Sequence, residues 1–237
     1  MKESDRLTRI EQAKARVKIY RLLSRIYLKP IDPTLTDLLG TREYGLSLRL
    51  QPLGEVSGQI IDGFSEIGES LRKIQGDDPK ESHTVLSATF TKLFRGVKRT
   101  TSPPPPYESL YRSGAETVFG GESLQVRQEY RRFGLTMAQE YGGEPPDHIS
   151  FELDFMAYLC SLEADAWSKE NPQEASRLLK AQKRFLEEHL LRWIPKFCSN
   201  IRKADKTGLY KGFADLTEGW VHLDLQQIQQ SLQNLDT

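Results

Sequence analysis

The segment Glu144-Pro145-Pro146-Asp147-His148-Ile149-Ser150-Phe151-Glu152-Leu153-Asp154-Phe155-Met156 decides how this chain is read. Pro145 and Pro146 lack a backbone N–H and bias their neighbours away from helix, so a helix starts after them. Asp147 stands in the N-cap position, with its carboxylate placed to accept from the free N–H groups of the first turn. His148 and Glu152 are one helical turn apart and share a face. Beyond them Ile149, Leu153, Met156 and Cys160 form an apolar stripe. Phe151, Phe155, Tyr158 and Leu162 form a second stripe beside it. A helix this apolar is mostly buried. Its polar first turn therefore stands at the mouth of a hydrophobic body, a place where a binding site can be built.

Outward from this segment the pattern stays helical. Residues 4–28 carry Leu7, Ile10, Val17, Tyr20, Leu23 and Tyr27 at helical spacing and stop before Pro30. Asp32-Pro33 opens a short helix that ends at Gly40. Over residues 41–53, Leu46, Leu48 and Leu50 alternate as in a strand, but a lone strand has no partner, and the stretch reads as loop or ragged helix. Val56, Ile60, Phe64, Ile67 and Leu71 return to helical spacing, weakened by Gly58, Gly63 and Gly68. Gly76-Asp77-Asp78-Pro79 stops one helix and starts another, which runs to Gly96. Residues 97–106 end in Pro103-Pro104-Pro105-Pro106, an extended run that is either a linker between two helical parts or a rigid wall over one. Further helices follow over 121–142, from 147 to about 170, and from Asn171-Pro172 onward. Pro195 kinks or divides that last one near Trp193-Ile194. A final helix carries Phe213, Leu216, Trp220, Leu225 and Ile228. The expected architecture is all-α: a single domain over residues 1–237 with about eight to ten helices and a proline-rich connection at 97–106.

Composition narrows the function. Lys plus Arg and Asp plus Glu are both 33, so the formal net charge is zero and bulk attraction to nucleic acid or anionic membranes is not expected. The cysteines, Cys160 and Cys198, have no zinc or redox spacing and suit a reduced, cytoplasmic setting. The N-terminal residues show no secretory pattern, and no apolar run approaches the roughly 20 residues of a membrane helix. Arg131-Arg132-Phe133 is a twin arginine, but it is internal and followed by Gly134, so it reads as a charged helix face. Arg177, Lys180, Lys183 and Arg184 read as solvated surface. Walker, GxGxxG, GxSxG and HExxH motifs are all missing from the sequence.

Asp147, His148 and Glu152 admit several readings. One is catalytic, with Asp147 orienting His148 as a general base, but no nucleophile accompanies them. A second is a metal site of Glu144, His148 and Glu152, the basis for a small metal-dependent hydrolase centred on His148. Zinc usually takes at least two His or Cys ligands, and His83, His189 and His222 stand apart in sequence. The bland alternative is a capped helix with a satisfied histidine. A binding site for a peptide or polar ligand is the fourth. Tyr107-Glu108-Ser109-Leu110-Tyr111 has a similar choice: its aromatics either anchor a loop or line an apolar groove beside Glu108.

Three segments together resemble one family. Pro105-Pro106-Tyr107-Glu108-Ser109-Leu110-Tyr111 is similar to its Pro-Tyr-Glu-Ser-hydrophobic-Tyr segment. The Glu144–Met156 stretch is similar to its Glu-x-x-Asp-His-x-x-x-Glu-Leu-x-Phe-Met signature. His189-Leu190-Leu191-Arg192-Trp193 is similar to its His-Leu-x-x-Trp segment. The chain thus resembles the TorD/DmsD-type redox-enzyme maturation proteins, the Tat proofreading chaperones, over roughly residues 85–225. The resemblance implies an all-helical cytoplasmic chaperone, not an enzyme. Such a chaperone binds the twin-arginine signal peptide and apo form of a molybdenum-containing oxidoreductase subunit until its cofactor is loaded. It also implies a monomer or homodimer. Tyr107, Glu108 and Tyr111 would form one groove wall, and Glu144, Pro146, Asp147, His148 and Glu152 the other. Asp147 and Glu152 would pair with arginines. No metal is implied. Weak guanine-nucleotide binding is linked to the family, but no phosphate-cradling loop is present here.

Overall fold

The computed structural model describes residues 3–40, 53–74, 79–96, 102–112, 120–141 and 143–236. The Leu46–Leu50 alternation, the Gly76-Asp77-Asp78 break and residues 97–101 of the proline-rich connection lie outside them. No strand occurs among the described residues. Their one β-type contact is an antiparallel bridge between Tyr107 and His148.

The helix that follows His148, α7 (Ile149–Ser168), is the axis of the molecule. Its first stripe is sealed: Ile149, Leu153, Met156 and Cys160 are wholly buried. The long N-terminal helix α1 (Glu3–Leu28) packs along it and buries Ile19, Tyr20, Leu23 and Tyr27. Asp32 caps α2 (Pro33–Gly40) as expected, accepting from Leu35 N at 2.9 Å. Asn171 likewise caps α8 (Pro172–Phe185) through Glu174 N at 3.0 Å, and α8 packs on α7.

One of the glycines read as weak points in α3 (Gly58–Ile74), Gly63, has a different purpose. The last helix, α10 (Leu209–Asp236), crosses α3 so closely that a Cβ on Gly63 would stand 2.8 Å from the Gly212 carbonyl oxygen. The reverse approach, from Gly212 to the Gly63 oxygen, is also 2.8 Å. Helix propensity is given up here for backbone contact between helices. Between them in sequence lie α4 (Pro79–Phe94), α5 (Glu108–Arg112) and α6 (Gly121–Arg132). Phe90 and Phe94 of α4 meet Tyr27, Phe197 and Tyr210 edge-on and tilted in a buried aromatic cluster.

Pro195 does not divide its helix. It sits inside α9 (Leu191–Ala204), which continues through Trp193 and Ile194. The irregularity lies upstream, where α8 passes through a π-turn at Leu186–Leu190. A proline ring crowds the carbonyl four residues back, here Leu191, so the backbone adjusts on the N-terminal side of the proline.

A buried polar clamp ties four helices together. The Arg16 guanidinium of α1 donates to Asp224 of α10, to Glu163 of α7 at 2.7 Å and to Gln182 of α8. Tyr20 donates its hydroxyl proton to Asp224, and Gln182 and Trp167 donate to Glu163 at 3.1 and 3.2 Å. No member of this network was singled out as polar in the sequence. Cys160 lies beside Gln182, and both cysteines are free and buried.

Candidate functional site

The proline run carries the chain onto the N-terminus of α7 as a wall packed on the body. Pro103 and Pro106 are buried, Pro104 O accepts from the Tyr111 hydroxyl at 2.8 Å, and Pro106 O accepts from Ile149 N at 2.9 Å. Glu108 N donates to Asp147 O at 2.9 Å. The Tyr107–Tyr111 and Glu144–Glu152 segments therefore touch each other directly, with no gap between them.

His148, not Asp147, is the N-cap of α7. Its backbone is extended, and Nδ1 accepts from Ser150 N at 3.2 Å and lies 2.7 Å from Ser150 Oγ. An accepting Nδ1 places the ring proton of a neutral imidazole on Nε2. Burial, with a smaller contribution from the Arg95 charge, lowers the His148 pKa to about 3. Asp147 turns the other way and caps α5 from outside. Its Oδ2 accepts from Ser109 N at 2.9 Å, while Oδ1 accepts from the Ser123 hydroxyl of α6. Asp147 thus does not orient His148, and the pair does not form a catalytic dyad. Among the described residues no group of three or more His, Cys, Asp or Glu side chains is placed to hold a metal ion, and the hydrolase reading finds no support.

Glu108, Asp147 and Glu152 are all fully buried. Glu108 bonds Arg112 through Oε1 and lies 2.9 Å from His189 Nδ1 through Oε2. The π-turn upstream of Pro195 carries this histidine, so His189, distant in sequence, joins the motif residues. Trp193 Nε1 donates to Glu152 Oε2 at 3.1 Å, and Glu152 Oε1 has no hydrogen-bond partner. Burial, and then the charges of Glu108 and Asp147, raise the Glu152 pKa well above the usual carboxyl value.

At the surface the same segments end in a row of rings. Tyr107, half-buried, donates to Glu144 Oε2 at 2.7 Å, and burial followed by that bond raises its pKa. Its ring meets His148 at 5.1 Å. His148 meets Phe151 at 5.5 Å, and Phe151 meets Tyr141 at 5.5 Å. Pro146 is buried, and its carbonyl accepts from the Tyr130 hydroxyl at 3.0 Å.

This row opens into a groove of about 450 Å³. Phe151, Phe155 and Tyr158 of α7 form one wall, Arg21, Ser24 and Leu28 of α1 another, and Leu135 to Ala138 with Tyr141 a third. Asp154 stands at its edge. Its pKa is raised by shielding from water, against the pull of Arg21. The second apolar stripe of α7 thus lines an open groove: Phe151 and Tyr158 remain partly exposed. The signal was the width of the apolar surface, two stripes where one face already fills the core.

Residues 60–199 match the family model for the nitrate reductase delta subunit. Proteins named chaperone protein TorD are similar over nearly the whole chain. The one from Vibrio cholerae serotype O1 (strain M66-2) is 27% identical over 219 residues, covering 92% of this chain and 94% of its own. That of Shewanella sp. (strain MR-4) is 28% identical over 225 residues, covering 92% and 96%. That of Aliivibrio fischeri is 26% identical over 211 residues, covering 89% and 93%. With the fold, the motif segments and the family match in agreement, the chain belongs to the nitrate reductase delta subunit family of TorD-type redox-enzyme maturation proteins.

Proposed function

We infer that this protein is a cytoplasmic chaperone that binds the twin-arginine signal peptide and the apo form of a molybdenum-containing oxidoreductase subunit. It holds that subunit for cofactor insertion and prevents its early export. The observation that carries this reading is the open aromatic groove continuous with the motif segments, with a carboxylate at its edge. A signal peptide of this class offers two arginines followed by an apolar stretch. The apolar stretch suits Phe151, Phe155, Met137 and Tyr158, and the arginines suit Asp154 and Glu144.

On this reading the motif residues divide the work. Tyr107, Glu144 and the edge of His148 contact the peptide. Glu108, Tyr111, Pro146, Asp147 and Glu152 hold the wall in shape from beneath, since their side chains are buried and bonded inward. No helix among the described residues is long and apolar enough to cross a membrane, and the role needs none.

Calorimetric titration with a twin-arginine signal peptide tests this. The wild type binds, a twin-lysine version binds more weakly, and Tyr158→Ala and Asp154→Asn weaken binding, Asp154→Asn without lowering the melting temperature. No binding by the wild type, or undiminished binding in both variants, contradicts the reading.

A further inference from the structure

Two charged motifs that the peptide groove does not use meet on another face. Arg132 and Phe133 end α6, while Arg177, Lys180, Ala181 and Arg184 lie along α8. Together they line a hollow of about 390 Å³. Its floor is aromatic, with the Arg177 guanidinium 5.4 Å above the Phe133 ring, which fixes a flexible side chain in place. Two carboxylates offset part of the charge. Glu129 accepts from Arg132 at 2.6 Å and from Arg184 at 2.8 Å, and Glu174 accepts from Arg177 at 2.7 and 2.6 Å. Four cations face two carboxylates, in a chain whose formal net charge is zero. Lys180 is exposed and has no ion pair among the described residues. Arg184 Nε–H is shut off from water and has no acceptor.

We propose that this hollow docks an acidic segment of a partner protein, with Asp or Glu side chains on the cations. The hollow is shallow: side-chain exposure is 58% for Arg132, 56% for Arg177 and 40% for Arg184. A small free anion here keeps its water and gains little. A segment presenting several carboxylates makes several charge-assisted bonds at once, and guanidinium groups take carboxylates two oxygens at a time. Phe133 also packs on Phe155 at 5.7 Å, which places the hollow behind the wall of the peptide groove without sharing its open face.

Fluorescence anisotropy with a labelled Gly-Ser-flanked Asp-Glu-Phe-Asp-Glu peptide tests the proposal on the full chain, with the amide peptide Asn-Gln-Phe-Asn-Gln as control. The acidic peptide binds the wild type, more weakly as salt rises, and the amide peptide does not. Lys180→Glu combined with Arg177→Glu reduces affinity by about tenfold or more, while twin-arginine peptide binding stays as in the wild type. Absent binding, equal binding of the amide peptide, or undiminished binding by the charge-reversed variant overturns it. So does full displacement of the acidic peptide by equimolar inorganic phosphate. Because the twin-arginine titration is read separately, failure of this surface is distinguishable from failure of the peptide groove.

Discussion

Two buried polar networks occupy opposite ends of α7, and they are built on opposite principles. The clamp around Arg16 sets one guanidinium against Asp224 and Glu163, with Gln182, Tyr20 and Trp167 filling the remaining valences. The cluster at the motif gathers three carboxylates, Glu108, Asp147 and Glu152; of these only Glu108 bonds Arg112 and His189, and one Glu152 oxygen is unpaired. The clamp sets two carboxylates against one guanidinium, and Arg16 and Glu163 lie beside a polar hollow. The motif cluster packs three carboxylates against one arginine and one histidine and lies beneath a surface that opens into an aromatic groove. The clamp fastens helices to one another; the crowded carboxylates beneath the aromatic groove fit a region shaped for a partner.

The strongest way to break that contrast is at the clamp. Arg16→Ala leaves Asp224 and Glu163 buried without their cation, and the expected loss is about 3–5 kcal/mol in urea unfolding. A loss near zero removes the clamp from the account. Asp147→Ala comes next. It strips the acceptor from Ser109 N and the Ser123 hydroxyl, and it costs about 1–3 kcal/mol for each donor left buried and unsatisfied, read by the same unfolding curves.

Acid sharpens the comparison further. The His148 pKa falls from 6.5 to about 3 on folding, so the unfolded chain takes up a proton that the folded one refuses. Stability is full above the unfolded value and falls as pH drops through the window, by about 2 kcal/mol at pH 5. His148→Asn keeps a capping side chain and flattens that loss, as thermal melts across pH 4 to 7 would show.

The last effect is one of slope. Glu152 is shifted the other way, so its contribution is present at acid pH and fades as pH rises above its ordinary carboxyl value. Glu152→Gln keeps an acceptor for Trp193 and removes that fading. Its stability advantage over the wild type grows from pH 5 to pH 8.

Much of the fold was legible because helical spacing and proline or aspartate stops are local signals. Asp32 caps where the sequence places it, and α8 starts at Asn171-Pro172, where the sequence places it. Gly63 misled because its reason is Gly212, in a helix far along the chain. Pro195 misled because its helix continues through it and the irregularity lies upstream, in the π-turn that brings His189 to Glu108. The motif was legible as a place but not as an arrangement. Nothing in the order Asp147-His148 says that the histidine caps its own helix while the aspartate caps another. Arg16 was invisible for the same reason, since its partners come from three other helices. The groove was half visible, as a second apolar stripe on α7 with Asp154 set among its rings.

Amide hydrogen exchange on the full chain, with and without a twin-arginine signal peptide, tests the central claim most directly. The account predicts slower exchange over residues 135–141 and at the first turns of α7, with α3 and the α10 crossing unchanged. Protection confined to another face, or no protection at saturating peptide, contradicts it.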